Sequence, residues 1–359
     1  MFCKKIKYNN FRNIKNAELD FSPGVNVFIG KNAQGKTSAI EGIYLFARGK
    51  SFRTLKDASL INFDSEYATV EALFEDANRE SKSRIAYSKD GRRLCKINNV
   101  NISKLSEFIG YFRCVVFCPS HLSIVKDGPG VRRNFLDCAI AQINPSYVLN
   151  LQKYNNVLMQ RNALIKGAYY NRNSFDETID EWSVQLSEYG EKISYERAKY
   201  TEKLNRYANL FITDMTSKSE NLFLYYSEPK TKEELYKELT ENKERELKYK
   251  STLYGVHKDD ILINLCDKKA RDFASQGQQR SIALAIKLAE SEISRETGGS
   301  YPVLLLDDVL SELDDSRREY ILSGIKNYQT FITSCEGENL LKIDGVNAYA
   351  VENGNFRSL

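Results

Sequence analysis

The stretch "GVNVFIGKNAQGKTSAIEGIYLFA", residues 24–47, decides the fold of this chain. It opens with an apolar run that ends in glycine and continues with the pattern G-x-x-x-x-G-K-[ST] from Gly30 to Thr37. A helical repeat follows, with Ile40 and Ile43 on one face. A buried strand, a glycine-rich turn and an amphipathic helix are the context that a P-loop requires. The stretch therefore predicts an α/β fold with a nucleoside-triphosphate site.

Each part of the P-loop motif has a chemical task. The two motif glycines let the backbone curl so that N–H groups point at a phosphate, and the helix dipole adds to the positive field. Lys36 is expected to reach the β- and γ-phosphates and to act in catalysis, and the Thr37 hydroxyl is expected to ligate Mg²⁺. The residues that the motif assigns to ATP are Gly30, Lys31, Asn32, Ala33, Gln34, Gly35, Lys36 and Thr37.

An acidic strand end is predicted in "PVLLLDDVLSELDDSRREY", residues 302–320. Four aliphatic residues before two carboxylates indicate a parallel strand buried on both faces, and ligands of α/β sheets bind at such strand tips. Asp307 is predicted to hold Mg²⁺ together with Thr37, and Asp308 to orient or deprotonate the attacking water. An isolated Asp-Asp pair is more simply a solvated acidic turn, but beside an intact P-loop the metal site is the better interpretation.

A second helix start that suits anions lies in "FASQGQQRSIALAIKLAE", residues 273–290. Ser275 offers a hydroxyl, Gly277 allows close backbone approach, and Gln278 or Gln279 can hydrogen-bond to a phosphate or a ribose. Taken alone, the stretch is more simply a polar helix cap. However, a triphosphate that its own P-loop surrounds needs no second cradle in the same subunit.

This second helix start resembles the signature motif of ABC ATPases, in which the signature of one subunit covers the γ-phosphate held by the other. The resemblance implies an ATP-dependent homodimer with two ATP molecules between its subunits. "SELDD", residues 311–315, resembles the D-loop that runs along the same seam, with Ser311 and Asp314 as its key residues.

The order of patterns along the chain predicts two lobes. Alternating apolar runs and an Asp90-Gly91 turn indicate strands in the first 120 residues, whereas residues 131–250 have helical periodicity. A length of 359 residues also favours two domains. We expect residues 1–120 and 300–359 to form an ATPase lobe, and residues 121–299 to form a helical lobe with a short antiparallel arm and the signature.

Composition narrows the cellular setting. The 52 basic and 48 acidic residues give a net charge of +4, so a nucleic-acid surface would have to be a local patch. The seven cysteines form no C-x-x-C pair and are predicted to be buried thiols of a reduced, cytoplasmic protein, although Cys114, Cys118 and Cys138 could also be read as metal ligands. No signal-peptide pattern and no apolar run of about 20 residues is found, which predicts a soluble protein.

Together these motifs resemble the RecF family, a group of recombination-mediator ATPases related to the Rad50 and SMC heads. The resemblance covers nearly the whole length and rests on the stretches "YNNFRNIKNAELDFSPGVNVFIGKNAQGKTSAIEGIYLFA", "FRTLKDASLI", "GPGVRRNFLD", "TLYGVHKDDI", "FASQGQQRSIALAIKLAE" and "PVLLLDDVLSELD". It implies an α/β ABC-ATPase head with a P-loop mixed sheet and a helical second lobe. It also implies ATP-dependent binding of DNA at single-strand gaps, with RecO and RecR as helpers in loading RecA.

Two departures from the wider ABC pattern bear on catalysis. The residue after Asp307 is an aspartate rather than a glutamate, which fits weak, DNA-stimulated ATP hydrolysis. The switch histidine is absent, and Thr333 and Ser334 stand there instead. A transporter ATPase subunit would carry that histidine and would lack the 131–250 helices.

The residues that contact DNA are the least specified part of the sequence. Basic residues after a Gly-Pro-Gly turn, in the stretch after the P-loop helix and on the 83–98 hairpin are candidates for phosphate contact. They are Arg132, Arg133, Arg53, Lys56, Arg92, Arg93 and Lys96. For each of them, a solvated side chain or a structural ion pair is an equally good interpretation.

Overall fold

The computed structural model describes residues 1–54, 56–76, 79–337 and 339–359. Its strands are β1 (Phe2–Phe11), β2 (Ile14–Asp20), β3 (Val25–Ile29), β4 (Tyr67–Asp76), β5 (Arg79–Ser88), β6 (Arg93–Ile97), β7 (Val100–Ile102), β8 (Cys114–Phe117), β9 (Leu222–Tyr226), β10 (Ile261–Leu265), β11 (Lys268–Lys269), β12 (Val303–Asp307), β13 (Thr330–Ser334), β14 (Asn347–Glu352) and β15 (Asn355–Ser358).

The α-helices are α1 (Lys36–Arg48), α2 (Leu105–Phe108), α3 (Ser123–Lys126), α4 (Pro129–Ile143), α5 (Pro145–Gly167), α6 (Arg172–Met215), α7 (Lys232–Glu241), α8 (Lys243–Tyr249), α9 (Ala270–Phe273), α10 (Gln276–Gly298) and α11 (Asp315–Gly324). Short 3₁₀ helices span Asp57–Leu60, Pro119–Leu122, Leu310–Glu312, Ile325–Asn327 and Leu340–Lys342.

The central sheet has the strand order β15-β14-β3-β13-β12-β8. The strands from β14 to β8 are parallel to one another, and β15 joins the edge as an antiparallel hairpin partner. Because the strands before the P-loop and before the acidic pair both belong to this sheet, their carboxyl ends meet at one edge. The predicted α/β fold with strands from both chain ends is confirmed.

Alternate side chains of the central strands bury into opposite layers. On β12, Leu305 packs with helix α1 and the antiparallel sheet β2-β1-β4-β5-β6-β7, whereas Leu304 and Leu306 pack towards α10 and the long helices. This two-sided burial explains why the strand is a continuous aliphatic run. Truncating such a side chain to alanine costs about 2–5 kcal/mol.

The helical region matches its prediction with one exception. Helices α5 and α6 pack against each other, and α7 packs against α6. The segment Leu222–Tyr226 is a strand, β9, although the sequence predicted helical structure throughout residues 131–250. Its run of apolar and aromatic residues pairs with β10 instead, and β10 pairs with β11. Pairing with β10 therefore determines the structure of this segment, although its neighbours in the chain are helical.

The division into two lobes stays a prediction. One hydrophobic cluster joins side chains from both expected lobes, for example Val27 and Ile332 with Ile282 and Ala285. In the described ranges, no helix is long and apolar enough to cross a lipid bilayer.

Candidate functional site

The P-loop folds as a turn that its glycines make possible. A Cβ atom at Gly30 would lie 2.3 Å from the backbone oxygen of Val351, so only glycine fits there. Gly35 has φ +117°, and Ala33 is also left-handed, with φ +64°. These conformations turn the chain from β3 into α1 within a few residues. The strand–turn–helix context expected from the sequence is therefore present.

Lys36 lies folded into this loop and is only 3% exposed. Its ammonium group donates to the carbonyl oxygens of Gly30, at 2.6 Å, and Lys31, at 3.0 Å. The thiol sulfur of Cys335 lies 3.4 Å from the same nitrogen, and that thiol is 3.0 Å from Oδ1 of Asn32. Lys36 is thus held at the mouth of the loop, where a phosphate anion would replace weak dipolar partners with a full negative charge.

The C-terminal hairpin holds the P-loop from outside. The backbone N–H of Gly354 donates to the carbonyl of Gln34 at 2.8 Å, and the N–H of Asn353 donates to the Gln34 side chain at 2.7 Å. This contact could not be predicted from the local sequence pattern. An Asn-Gly pair at residues 353–354 between two strand-like runs is a strong hairpin signal, but the signal does not tell where the hairpin docks.

Thr37 and Asp307 meet at the strand edge. The Thr37 hydroxyl donates to Oδ1 of Asp307 at 2.9 Å. Burial raises the pKa of Asp307, and the hydrogen bonds from Thr37 and Thr333 oppose that shift. A hydroxyl and a carboxylate are hard oxygen donors of the kind that Mg²⁺ prefers. Within the part of the chain that the structure describes, no group of three or more His, Cys, Asp or Glu could hold a metal ion.

Asp308 lies beyond the end of β12 in a left-handed conformation, with φ +53°. Its backbone N–H donates to the Thr333 hydroxyl, and its carbonyl accepts from Ser311 at 2.9 Å. Asp308, Asn32 and Ser311 share the wall of an open cavity of about 800 Å³, to which Cys335 also contributes. The structure therefore brings P-loop, acidic pair and D-loop residues to one place.

Ser275 caps helix α10 as the sequence predicts. Its hydroxyl accepts from the N–H of Gln278 at 3.2 Å, and the Gln278 side chain accepts from the N–H of Ser275 at 2.8 Å. The Gln278 amide also donates to Glu220 at 2.7 Å. Ser275 is exposed to solvent. In this capped turn the N–H groups of Gln276 and Gly277 are the ones that face outward from the helix start.

The signature and D-loop lie next to each other in the same chain. Nη1 of Arg317 is 3.9 Å from the position of a Cβ on Gly277, and Arg280 forms an ion pair with Glu312 at 3.6 Å. Asp314 caps helix α11 by accepting from the N–H of Arg317 at 2.9 Å. The two predicted elements therefore present a common surface.

Among the described residues, the side-chain hydrogen bonds of Ser275 and Gln278 run to each other and to Glu220, and none of them reaches the P-loop. Arg113 contacts the last turn of α10, and its carbonyl accepts from the first residue of β12, so these two ends lie together. From that point the 23-residue helix runs about 33 Å to its start, whereas the five-residue strand spans only about 16 Å. The start of α10 and the tip of β12 therefore lie at unequal distances from the end that the two elements share.

The candidate DNA contacts fall into two groups. Arg132 is 6% exposed and holds Asp260 with two hydrogen bonds, at 2.7 and 2.9 Å, so its guanidinium is a structural group. Arg133 is half-buried and donates to the carbonyl of Asp259 at 2.6 Å. Arg53 is exposed although it lies 3.4 Å from Glu41, and Lys56 is exposed.

The 83–98 hairpin forms as expected, and two of its three candidate cations have partners. Arg92 pairs with Asp90, and Arg93 pairs with Asp57.

The cysteine prediction holds for Cys3, Cys95, Cys114 and Cys118, which are buried, but it is wrong for Cys266 and Cys335, which are exposed.

Comparison with known proteins gives consistent matches over the whole chain. The profile of the family described as RecF/RecN/SMC N terminal domain matches residues 2–355. The DNA replication and repair protein RecF of Clostridium perfringens (strain SM101 / Type A) is 41% identical over 358 residues, covering 98% of this chain and 96% of that protein. The protein of the same name from Clostridium kluyveri (strain ATCC 8527) is 39% identical over 362 residues, covering 99% of each chain.

Solved structures agree with the sequence relatives. A structure of the recombination mediator protein RecF with ATP in the RecFOR pathway superposes with a TM-score of 0.93 at 36% identity, covering 100% of this chain and 97% of that one. An Smc head domain from Pyrococcus furiosus, at 16% identity and a TM-score of 0.58, shares the fold.

Proposed function

The chain belongs to the RecF family, and from that membership we propose that it is an ATP-dependent DNA-binding protein of DNA repair and replication restart. In this proposal ATP closes two copies of the chain on DNA at a single-strand gap, or at a junction of duplex and single strand. RecO and RecR assist in loading RecA at that place. Slow ATP hydrolysis then opens the dimer. Because the substrate is chromosomal DNA, the protein would work in the cytoplasm.

One relationship carries the proposal. The P-loop, Thr37 and Asp307 form an assembled half-site, and among the described residues no side-chain hydrogen bond of Ser275 or Gln278 joins the signature start to it. A second copy of the chain, related by a two-fold axis, can bring its own Ser275 to that half-site. The same operation brings the first Ser275 to the other half-site, so the assembly is closed and self-complementary.

Each residue of the half-site has a proposed task. Lys36 would exchange its carbonyl partners for the β- and γ-phosphates, and the backbone of residues 30–37 would cradle them. Asp308 would orient the attacking water, with Ser311 fixing its carbonyl. From the partner copy, the N–H groups around Gly277 and the Ser275 hydroxyl would cover the γ-phosphate, and Asp314 would lie at the seam.

A magnesium ion fits the oxygen donors of Thr37 and Asp307. Bound there, it would supply positive charge against the β- and γ-phosphate oxygens. Because burial raises the pKa of Asp307, this carboxylate is poorly solvated before the metal arrives, and it gains more from a cation than an exposed carboxylate would.

The proposed DNA surface includes Lys56 and Arg53, the exposed cations of the stretch that follows the P-loop helix. Burial raises the pKa of Asp307 and the positive charge of Arg53 opposes that shift, so a DNA phosphate bound to Arg53 would weaken this opposing effect at the nucleotide site. Arg132 is left out of the proposal because it is buried against Asp260.

Sedimentation and DNA-binding measurements test this function together. Sedimentation velocity with and without ATP and Mg²⁺ should show a monomer that becomes a dimer, and affinity for a gapped duplex should rise in the same conditions. A chain that stays monomeric and binds DNA equally with and without ATP would contradict the proposal. The Lys36→Ala variant is the control, because it should show neither response.

A further inference from the structure

Thr333 occupies the strand end next to the acidic pair. Strands β12 and β13 are parallel, and their register places Thr333 directly opposite Asp307. The side chain is 1% exposed. Since parallel neighbours end at the same edge of the sheet, the Thr333 hydroxyl is delivered to the catalytic end of β12, where bulk water has little access.

The hydroxyl connects both acidic residues. It accepts from the backbone N–H of Asp308 at 2.8 Å and lies 2.9 Å from Oδ1 of Asp307. Oδ1 of Asp308 is a second possible acceptor at 3.4 Å. A threonine hydroxyl has one hydrogen to donate, so donation goes to the nearer carboxylate, that of Asp307, while its lone pair holds the Asp308 amide.

This connection sets the direction of the Asp308 side chain. Asp308 has a left-handed backbone, with φ +53°, which costs on the order of 1 kcal/mol for a residue with a side chain and must be held by its surroundings. The N–H bond to Thr333 and the bond from Ser311 to the Asp308 carbonyl both hold this turn. Without the hydroxyl, the Asp308 N–H would lose its hydrogen-bond partner, and the Asp308 carboxylate would no longer be held in a fixed position relative to Asp307.

We infer that Thr333 is a positioning residue of the ATPase reaction, one that locks the water-orienting carboxylate of Asp308 to the metal-holding carboxylate of Asp307. The inference rests on the proposed function, which assigns those two tasks. The hydrogen bonds of the Thr333 hydroxyl run to Asp307 and Asp308, so its proposed effect passes through these two residues. Thr333 thus resembles groups that hydrogen-bond to metal ligands and so orient them. Loss of such a group lowers metal affinity or activity by about 10–100-fold.

The chain provides a matched control on the same strand. Thr330 is 0% exposed, and its hydroxyl has no hydrogen-bond partner among the described residues. Thr330→Val and Thr333→Val therefore make the same isosteric change in the same buried strand, and only the second removes a connection to the acidic pair. Thr333→Ser retains the hydroxyl and should restore what valine removes.

The experiment measures three quantities for the wild type, Thr333→Val, Thr333→Ser and Thr330→Val. They are the affinity for a fluorescent ATP analogue without metal, the Mg²⁺ concentration that gives half of the metal-induced signal with a non-hydrolysable analogue, and kcat. In Thr333→Val we expect unchanged metal-free affinity, a need for about 10-fold more Mg²⁺, and a kcat lowered by about 10–100-fold. Thr333→Ser and Thr330→Val should resemble the wild type.

Three outcomes would overturn the inference. Wild-type Mg²⁺ dependence and kcat in a folded Thr333→Val protein would show that the hydroxyl has no positioning task. Equal losses in Thr333→Val and Thr330→Val would show a general need for threonine in the strand, and a Thr333→Ser variant as defective as the valine variant would show that the hydroxyl is not what matters. If the wild type fails to bind the analogue, the proposed function itself fails, and this result is distinct because it appears before any substitution.

Discussion

The hydroxyl of Thr37 and the carboxylate of Asp307 are hydrogen-bonded at 2.9 Å although 270 residues separate them in the chain. The bond joins the first turn of α1 to the tip of β12 and so links the two halves of the nucleotide site. Two hydroxyls, those of Thr37 and Thr333, share the same carboxylate oxygen of Asp307. The other oxygen is free of such a bond in the described structure and can serve a metal or its water.

The buried charge of Asp307 predicts that this residue lowers the stability of the nucleotide-free protein. Because burial raises its pKa, ionisation costs more in the folded state than in the unfolded one. The cost is fully present above the raised pKa, shrinks as the pH falls through it, and vanishes below the ordinary aspartate range, where both states are protonated. Asp307→Asn should therefore raise the melting temperature near pH 7.5 by on the order of 2 °C, with the gap narrowing in acid.

Thermal unfolding by circular dichroism from pH 7.5 downward checks this prediction. Asp344→Asn, a change at an exposed aspartate, is the control and should leave the melting temperature within error of the wild type. The same Asp307→Asn protein should have lost ATP hydrolysis, so stability and activity move in opposite directions. A melting temperature below that of the wild type at every pH would contradict the argument.

Cys335 should report on the nucleotide site through its reactivity. Its thiol lies 3.4 Å from the Lys36 ammonium and 3.0 Å from Asn32, at the mouth of the P-loop. Among the described cysteines, Cys266 is the other exposed one, and it belongs to the β10–β11 turn. N-ethylmaleimide should label both, and ATP should slow the labelling of Cys335 by about 10-fold or more while leaving Cys266 unchanged.

Mass spectrometry of tryptic peptides resolves the two labelling rates. Alkylated wild type should no longer bind ATP, because the added group fills the space beside Lys36, whereas treated Cys335→Ser should bind normally. Equal labelling of Cys335 with and without ATP would mean that the nucleotide does not occupy this loop.

Mixing two inactive variants tests whether the signature acts on the partner copy. Lys36→Ala removes nucleotide binding but leaves Ser275 intact, and Ser275→Arg places a bulky cation at the helix start but leaves the P-loop intact. In a mixed dimer, the nucleotide bound by the Ser275→Arg chain meets the intact signature of the Lys36→Ala chain. We expect each variant alone to lose ATPase activity and the equimolar mixture to recover up to about one quarter of the wild-type rate, since half of the random dimers are mixed and each has one complete site of two.

A mixture without recovery, from variants that remain folded, would show that Ser275 does not act in trans. Sedimentation of the mixture with ATP separates this outcome from a simple failure to associate, because a mixed dimer held by one complete site should still be visible.

The local parts of this architecture could be predicted from the sequence. The P-loop, the acidic strand end and the Ser275 cap each lie within a few neighbouring residues, so spacing and residue type suffice to identify them. Short-range chemistry determines all of these features.

Contacts set by sheet order could not be predicted in this way. Cys335, Thr333 and the Asn353–Gly354 turn reach the site because β14, β3, β13 and β12 are neighbours, and strand order is not encoded in local periodicity. The burial of Arg132 could not be predicted from the local sequence either. Arg132 follows a Gly-Pro-Gly turn like a surface cation, but Asp260, 128 residues later, buries it in an ion pair.

Lys56 and Arg132 should therefore differ in what their loss does to DNA binding. Lys56 is exposed, so Lys56→Ala should weaken DNA binding similarly for all sequences and reduce the slope of log affinity against log salt by about 1, with unchanged stability. Arg132→Ala leaves the half-buried carboxylate of Asp260 without its partner and should cost about 1–3 kcal/mol of folding free energy. Fluorescence anisotropy with a labelled gapped duplex from 50 to about 300 mM salt, alongside urea unfolding, measures both effects. If Lys56→Ala keeps the wild-type salt slope, the stretch after the P-loop helix does not follow the DNA backbone, and the phosphate-contacting surface must be sought on another face of the head.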